Sequence, residues 1–449
     1  MTVNEISKAI EQHTLALLSS NLQPSSDTKP PLQQLNQHQL RSHQSSQHQS
    51  SQQQPKLVLA YSGGVDSECL AYGLSAFAQQ HPHIPCLLVH VHHGLSKNAE
   101  TWVEHCLTQA NKYQLPIQIE RVKLTKSPRQ SLEAIARDAR YSVFKKYLNQ
   151  GDILLTAHHQ DDQLETVLLA LKRGQGPKGL AAMGAIQCFN QHSWIVRPLL
   201  DISRAQIESF ASSVKLKHIE DESNQDEQFD RNFLRQDIIP RLKQRWPSIA
   251  VTAARSANLC AQQQLVIEQE VNNRLPAFID TSVSSKYPAF KLMELKNEPA
   301  QWQSLLFRGY IQSQQFSLPS QSQLEQILEQ VLNAADDAKV DVHCGDYSIK
   351  RFAGHAYIVP VANESCLKAQ QAKTIDELSA FIIASGSEGA KSLNVQEYQV
   401  KLSHDGVRLR LPNIDKVAVV FGAKGSTRCQ PHFRDKGREL KKIWQALAI

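Results

Sequence analysis

Residues 56–67 read KLVLAYSGGVDS, a run of β-favouring apolar residues that passes directly into Ser62-Gly63-Gly64-Val65-Asp66-Ser67. This order predicts a strand feeding a phosphate cradle. Gly63 and Gly64 carry no Cβ and tolerate positive φ, so backbone N–H groups can close on an anion, and the Ser62 and Ser67 hydroxyls add donors. The next residues, ECLAYGLSAFAQQ, have apolar positions at helical spacing, which sets the anion at a helix N-terminus. Asp66 is the odd member. A carboxylate beside phosphate repels it unless a cation lies between, which assigns Asp66 to Mg²⁺ on a nucleotide.

No Lys follows the glycines at the spacing of the GxxxxGK[ST] loop, so the common triphosphatase cradle is excluded. The segment instead resembles the SGGxDS loop of the PP-loop ATP pyrophosphatases. That resemblance implies splitting of ATP to AMP and pyrophosphate while an oxygen of the substrate is adenylated. A plain Ser-Gly turn would explain a bare SGG. It does not explain the preceding strand, Asp66 and the following helix together.

A chain of 449 residues with 41% hydrophobic content has room for two to three domains with buried cores. No stretch approaches the ~20 apolar residues of a membrane span. The start, MTVNEISKAIEQH, has neither a signal-peptide nor a transit-peptide layout, so the expected location is cytoplasmic, with no membrane partner. Eight scattered cysteines without a CxxC indicate no disulfide framework, zinc site or iron–sulfur site, and read as small buried hydrophobes. Net charge is +6, and residues 401–449 hold eleven Lys and Arg against four Asp and Glu. A basic terminal segment beside an ATP loop favours a nucleic-acid substrate, although a solvated basic face explains it equally well alone.

Along the chain, residues 1–20 read as an amphipathic N-terminal helix and 21–55 as a disordered Gln/Ser/His-rich insertion, too polar to offset its ordering entropy. Strand and helix patterns then alternate. IPCLLVHVHH is a strand, SKNAETWVEHCLTQANKY a helix with Ser96 as N-cap, PIQIERV a strand, and SLEAIARDARYSVFKKYLNQ a helix from Ser131 to a stop at Gly151. DILLTAHH is the next strand, residues 161–172 the next helix, and WIVRPLLDISRAQIESFA a last strand and helix. Such alternation predicts a doubly wound parallel sheet with ligands beyond the carboxyl ends of its strands.

The polar clusters fall at those ends. His90, His92 and His93 line a nucleotide pocket or cap the strand, a metal pair lacking a third ligand. Residues 156–166, TAHHQDDQLET, gather His158, His159, Asp161, Asp162 and Glu165 at a helix start, where the dipole partly stabilises carboxylates. Glu133 and Arg137 are i and i+4, for which a structural ion pair is the default. RGQGPKGLAAM, residues 173–183, is a Gly-rich basic loop suited to a phosphate or RNA backbone. Residues 220–247 run from an acidic stretch into a basic helix. Residues 248–335 are mostly helical by pattern, with AVTAARSANLCAQQQLVIEQEV a long helix and WQSLLFRGYIQS and SQLEQILEQVLN shorter ones, and VDVHCGDYSIKRFAGHAYIVPV reads as a hairpin turning near Gly354.

LAYSGGVDS, HVHHGLS, SLEAIARDARY, TAHHQDDQLETVLLALKRGQGPKGLAAM, RPLLDISR and EDESNQDEQFDRNFLR, in this order, resemble the tRNA(Ile)-lysidine synthetase family. The resemblance implies an α/β fold: a doubly wound parallel-sheet PP-loop domain over 56–240, a mostly helical tRNA-binding middle domain over 241–370, and a small α+β C-terminal tRNA-binding domain over 371–449. It implies ligation of free L-lysine to C2 of the wobble cytidine of tRNA(Ile) with a CAU anticodon, through an adenylated cytidine, giving AMP and diphosphate and a tRNA that reads AUA. By similarity, ATP binds Ser62, Gly63, Gly64, Val65, Asp66 and Ser67. Asp66, His158, Asp162 and Arg137 are catalytic, Asp66 and Asp162 hold Mg²⁺, and Glu133, Arg137, Arg231 and Arg235 hold lysine or substrate. A homodimer is the expected assembly. A PP-loop thiolase is the nearest rival, but this chain has no cysteines at the CxxC spacing such an enzyme needs. Two features depart from the family: the insertion before Lys56, and an end at Ile449 soon after GRELKKIWQALAI, which resembles the first helix of the last domain and suggests that domain is truncated.

Overall fold

Leu57, Val58 and Leu59 in β1 (Leu57–Ala60) have no solvent exposure, and their side chains alternate between two cores. That is the signature of a strand covered on both faces. The structure, a computed structural model, describes residues 1–19, 54–94, 96, 98–124, 132–190, 193–222, 228–281, 288–335 and 338–361, with four short strands between 392 and 439. The expected insertion at 21–55 lies outside the described residues apart from its last two positions. The Ser131 cap lies outside them too. Chain contacts group into two compact units, Met1–Ile267 and Glu268–Ile449.

In the first unit, α1 (Val3–Ser19) precedes β1, α2 (Val65–Gln80), β2 (Cys86–His92), α3 (Ala99–Tyr113), β3 (Ile117–Arg121) and α4 (Leu132–Lys146). Then come β4 (Ile153–Leu155), α5 (Gln160–Lys172), α6 (Pro177–Leu180), β5 (Ile186–Asn190), β6 (Ser193–Val196) and α7 (Arg204–Ser213). The sheet order is β3-β2-β1-β4-β6-β5, parallel except where β5 runs antiparallel to β6. Strand order reverses between β1 and β4. A crevice opens beyond the strands at such a switch point.

One face of the sheet packs Leu57, Leu59, Ile153 and Trp194 against Ile6 and Ile10 of α1, Leu70 and Phe77 of α2, and Ile207 and Phe210 of α7. The other face packs Val58, Leu154 and Ile195 against Val143 and Phe144 of α4. The α1 helix thus belongs to this core. A Cβ on Gly73 would sit 2.2 Å from Ile6 Cγ2, so the glycine lets α1 lie close on α2. The helix α3 starts after Asn98 and not at Ser96, whose hydroxyl instead accepts from the Asn98 N–H.

The unit continues through α8 (Asp230–Phe233), a π-helical turn (Leu234–Ile238) and α9 (Ile239–Arg245), and α10 (Ile249–Arg274) runs from it into the second unit. Pro240 lacks an N–H and its ring crowds the preceding turn, which accounts for the widened register just before it.

The second unit adds a 3₁₀ turn (Leu275–Phe278), β7 (Ile279–Asp280), β8 (Ala289–Lys291), α11 (Leu292–Lys296), α12 (Ala300–Ser313) and α13 (Gln321–Asn333). Strands β9 (Asp341–His343), β10 (Tyr347–Phe352) and β11 (His355–Pro360) follow, and the antiparallel order is β7-β8-β11-β10-β9. The expected hairpin around Gly354, at φ 76°, is therefore the centre of a larger sheet. Phe290, Phe307 and Tyr310 cluster in its core with Leu324 and Ile327 of α13. Beyond it, β12 (Ser392–Val395) pairs with β13 (Tyr398–Lys401), and β14 (Arg428–Cys429) with β15 (Arg438–Glu439). Arg438 and Glu439 are thus in a strand where the sequence suggests a helix. Among the described residues no helix is long and apolar enough to cross a membrane.

Candidate active site

The cradle is fixed by its own hydroxyls. Gly63, at φ 84°, donates its N–H to Ser67 Oγ at 3.0 Å, Ser67 Oγ donates to the Gly64 carbonyl at 3.0 Å, and Ser62 Oγ lies 3.0 Å from Ser67 Oγ. A Cβ on Gly63 would meet Ile219 Cδ1 at 2.4 Å, so both conformation and space demand glycine there. Val65 opens α2 with its side chain in the core, leaving only backbone for a ligand. Beneath the loop, fully buried Glu68 accepts from Tyr61 Oη at 2.5 Å and Tyr113 Oη at 2.8 Å, with His105 Nε2 at 2.9 Å. Burial pushes the Glu68 carboxyl up while these bonds oppose it. His90 caps β1 through Nδ1, 3.0 Å from the Tyr61 carbonyl.

Across the switch point, the α5 N-terminus presents His158, His159, Asp161 and Asp162. His159 Nδ1 accepts from the Asp161 N–H at 3.2 Å, which assigns the ring proton of neutral His159 to Nε2. That Nε2 stands 3.7 Å from Asp66 Oδ1 and 3.5 Å from Asp162 Oδ2. Asp66 takes 2.6 Å contact from Arg204 Nη1 on Oδ2, while among the described residues its buried Oδ1 has no hydrogen bond. Burial raises the Asp66 carboxyl, and His159 and Arg204 pull it back. Asp162 accepts from the His159 N–H at 2.9 Å and from Arg235 Nη2 at 2.7 Å, and its carboxyl is held below the usual range by the adjacent histidines and Arg235 despite burial.

Arg235 lies in the π turn and also pairs with Glu165, a buried acid that Arg231 approaches at 3.8 Å. His158 Nδ1 is 2.8 Å from Thr156 Oγ1. Burial lowers the His158 imidazole to about 3, Asp162 opposes that, and the charges of Arg197, Arg137 and Arg231 add to it. Arg197 itself donates to the Gly184 carbonyl at 2.6 Å and to Gln187 at 2.7 Å, and its buried Nε has no hydrogen-bond partner among the described residues. This half of the site is rich in guanidinium groups around a neutral ring. Such a field suits polyanions.

Residues 35–242 match the PP-loop domain family and residues 290–357 the TilS substrate binding domain family. The tRNA(Ile)-lysidine synthase of Shewanella oneidensis is 53% identical over 399 residues, covering 88% of this chain and 85% of the relative. Those of Shewanella woodyi and Vibrio atlanticus are 52% and 36% identical, with 88% of this chain and 84% and 87% of the relatives covered. The chain belongs to the tRNA(Ile)-lysidine synthase family.

In this lysidine synthase family member, the residues singled out in the sequence divide by what they touch. Ser62, Gly63, Gly64, Asp66 and Ser67 form the cradle, and Asp66 and Asp162 share His159. Arg137 and Arg231 bear on His158 through charge, and Arg137 lies 4.8 Å over the Tyr141 ring. Arg235 is engaged by two acids. The Glu133 side chain lies outside the described residues, so its expected ion pair with Arg137 does too. Asp162 has hydrogen bonds on both oxygens, whereas among the described residues Asp66 Oδ1 has none and meets only the His159 imidazole at 3.7 Å, so of the expected Mg²⁺ pair Asp66 has the less engaged oxygen. Among the described residues no three His, Cys, Asp or Glu side chains gather as a metal site.

Sequence reasoning gave no site role to His159 as the bridging imidazole, to Glu165, or to Arg204 and Arg197. Glu165 had a legible signal, since it stands three and four residues after Asp162 and Asp161 on the same helix face. Arg204 had a weaker one, as the residue after an N-cap serine in RPLLDISR.

Proposed function

We propose that this chain ligates L-lysine to C2 of the wobble cytidine of tRNA(Ile) bearing a CAU anticodon, using ATP through an adenylated cytidine. AMP and diphosphate are released, and the tRNA then reads AUA as isoleucine. Family membership supports the reaction. The observation that carries it in the geometry is the meeting of the SGGVDS cradle and the His158–Asp162 segment at one strand switch point, with Asp66 and Asp162 on either side of His159.

In this reading Ser62, Gly63, Gly64, Ser67 and the Val65 backbone bind the diphosphate portion of ATP. Asp66 would hold Mg²⁺ through Oδ1, which accepts no hydrogen bond among the described residues, and the ion would supply charge neutralisation on the phosphates. Asp162 serves charge positioning, because both its oxygens are committed. His158, kept neutral among Arg137, Arg197 and Arg231, assists adenylation as a hydrogen-bonding group rather than as a proton store. Glu133, Arg137 and Arg231 hold lysine or nucleotide, and Arg235 acts through Asp162 and Glu165. The regions 241–370 and 371–449 bind the tRNA, and the working form is a cytoplasmic homodimer.

The test is diphosphate release from ATP by the purified chain, omitting lysine and CAU-anticodon tRNA in turn, with gel filtration alongside. Release that needs the tRNA, with labelled lysine retained on it, is the expected result. Absence of release while the tRNA still binds a filter would overturn the reading.

A further inference from the structure

The SGGVDS cradle contains no lysine, although the polyphosphate it suits carries several negative charges. The fold brings a cation from a distant element. Arg204, first residue of α7 and 138 residues after Asp66, places Nη1 2.6 Å from Asp66 Oδ2. Its backbone is held there: Ser203 and Gln206 form a reciprocal cap, and the Arg204 N–H donates to Asp161 Oδ2 at 2.8 Å, with Lys243 paired to the same carboxylate. Glu208, one turn later, takes Nε at 2.7 Å and orients the guanidinium. Nη2 has no partner among the described residues, and the side chain is 40% exposed. A donor edge is therefore open at the rim of the cradle.

An ordinary surface ion pair is the plain alternative, worth little by itself. The pair is lopsided, however. Asp66 is mostly desolvated and only one of its oxygens is satisfied, so the arginine neutralises a carboxylate that still lacks a full set of partners. We propose that Arg204 is a catalytic residue that supplies the cation the loop lacks. On nucleotide binding its guanidinium exchanges the Asp66 carboxylate for β- and γ-phosphate oxygens of ATP, and it stays with the diphosphate as that group leaves. No bond forms or breaks at Arg204. Its part is to offset charge gathering on the leaving diphosphate, which a planar fork of N–H donors does well. This inference rests on the ATP reading above.

Calorimetric titration of the full chain with magnesium diphosphate, and separately with AMP, isolates the role without tRNA or lysine. In Arg204→Gln, diphosphate affinity should fall about tenfold or more while AMP affinity stays unchanged, since AMP lacks the phosphates in question. Arg204→Lys, which keeps charge but loses the fork, should fall between; it carries the same comparison if the glutamine variant does not fold. Unchanged diphosphate affinity, an equal loss for AMP and diphosphate, or no diphosphate binding by the unaltered chain would overturn the proposal. A chain that binds diphosphate through Arg204 yet releases none on tRNA would sink the lysidine reading and leave this one standing.

Discussion

The two oxygens of Asp66 do different things: Oδ2 meets Arg204, and Oδ1 is buried without a hydrogen bond. Removing the carboxylate should therefore cost function and leave the fold. Asp66→Ala is expected to lose diphosphate release almost entirely with an unchanged far-UV spectrum; normal turnover would refute the assignment. Histidines make a second prediction. Burial and Arg140 hold His93 down to about 4, and His158 lies near 3. Unfolding returns each ring to its ordinary value near 6.5, so below that pH the unfolded chain binds protons that the folded chain does not. Stability should fall as pH drops from about 6.5 towards 4, by about 1.4 kcal/mol per pH unit for each such ring. Urea midpoints between those pH values should show the slope, and His93→Asn should reduce it by about one ring's share. At this scale the cradle, Asp66, His158 and Asp162 were legible because each sits in a local run of chemically related residues. Arg204 and Arg235 were not read as partners of Asp66 and Asp162, because those contacts join residues 138 and 73 positions apart.

Helices with a strong apolar period were legible almost to their ends: α1, α5, α12 and α13 fall where the spacing puts them. The β5 strand was not, because only Ile186 of IQCFN is buried and no alternation shows at an edge. The single turn α6 is hidden in a Gly- and Pro-rich run whose composition announces a loop. Gly73 in mid-α2 looks like a weak spot on propensity, yet the structure gives it a reason in Ile6. Gly73→Val should separate α1 from α2 and destabilise the first unit by about 1–3 kcal/mol, as overpacking does. Loss of hydrogen-exchange protection confined to α1 would report it; unchanged protection would show that the helices can shift at no cost.

For the whole molecule, the first unit depends on a helix that precedes the cradle by many residues. Ile6 and Ile10 are fully buried and Leu17 nearly so. At about 1.5–3 kcal/mol for each buried aliphatic side chain, deleting residues 1–19 should remove much of the stability of a domain this size. A urea midpoint close to that of the intact chain would show α1 to be dispensable. The same architecture has a consequence for how the chain tolerates change. The segment between α1 and β1 only has to let Leu17 and Leu57 belong to one core. For a flexible linker the closure entropy grows only as the logarithm of length, about 0.6 kcal/mol for each doubling, so a fluorescent reporter joined by flexible linkers between α1 and β1 should leave the urea midpoint of the first unit nearly unchanged.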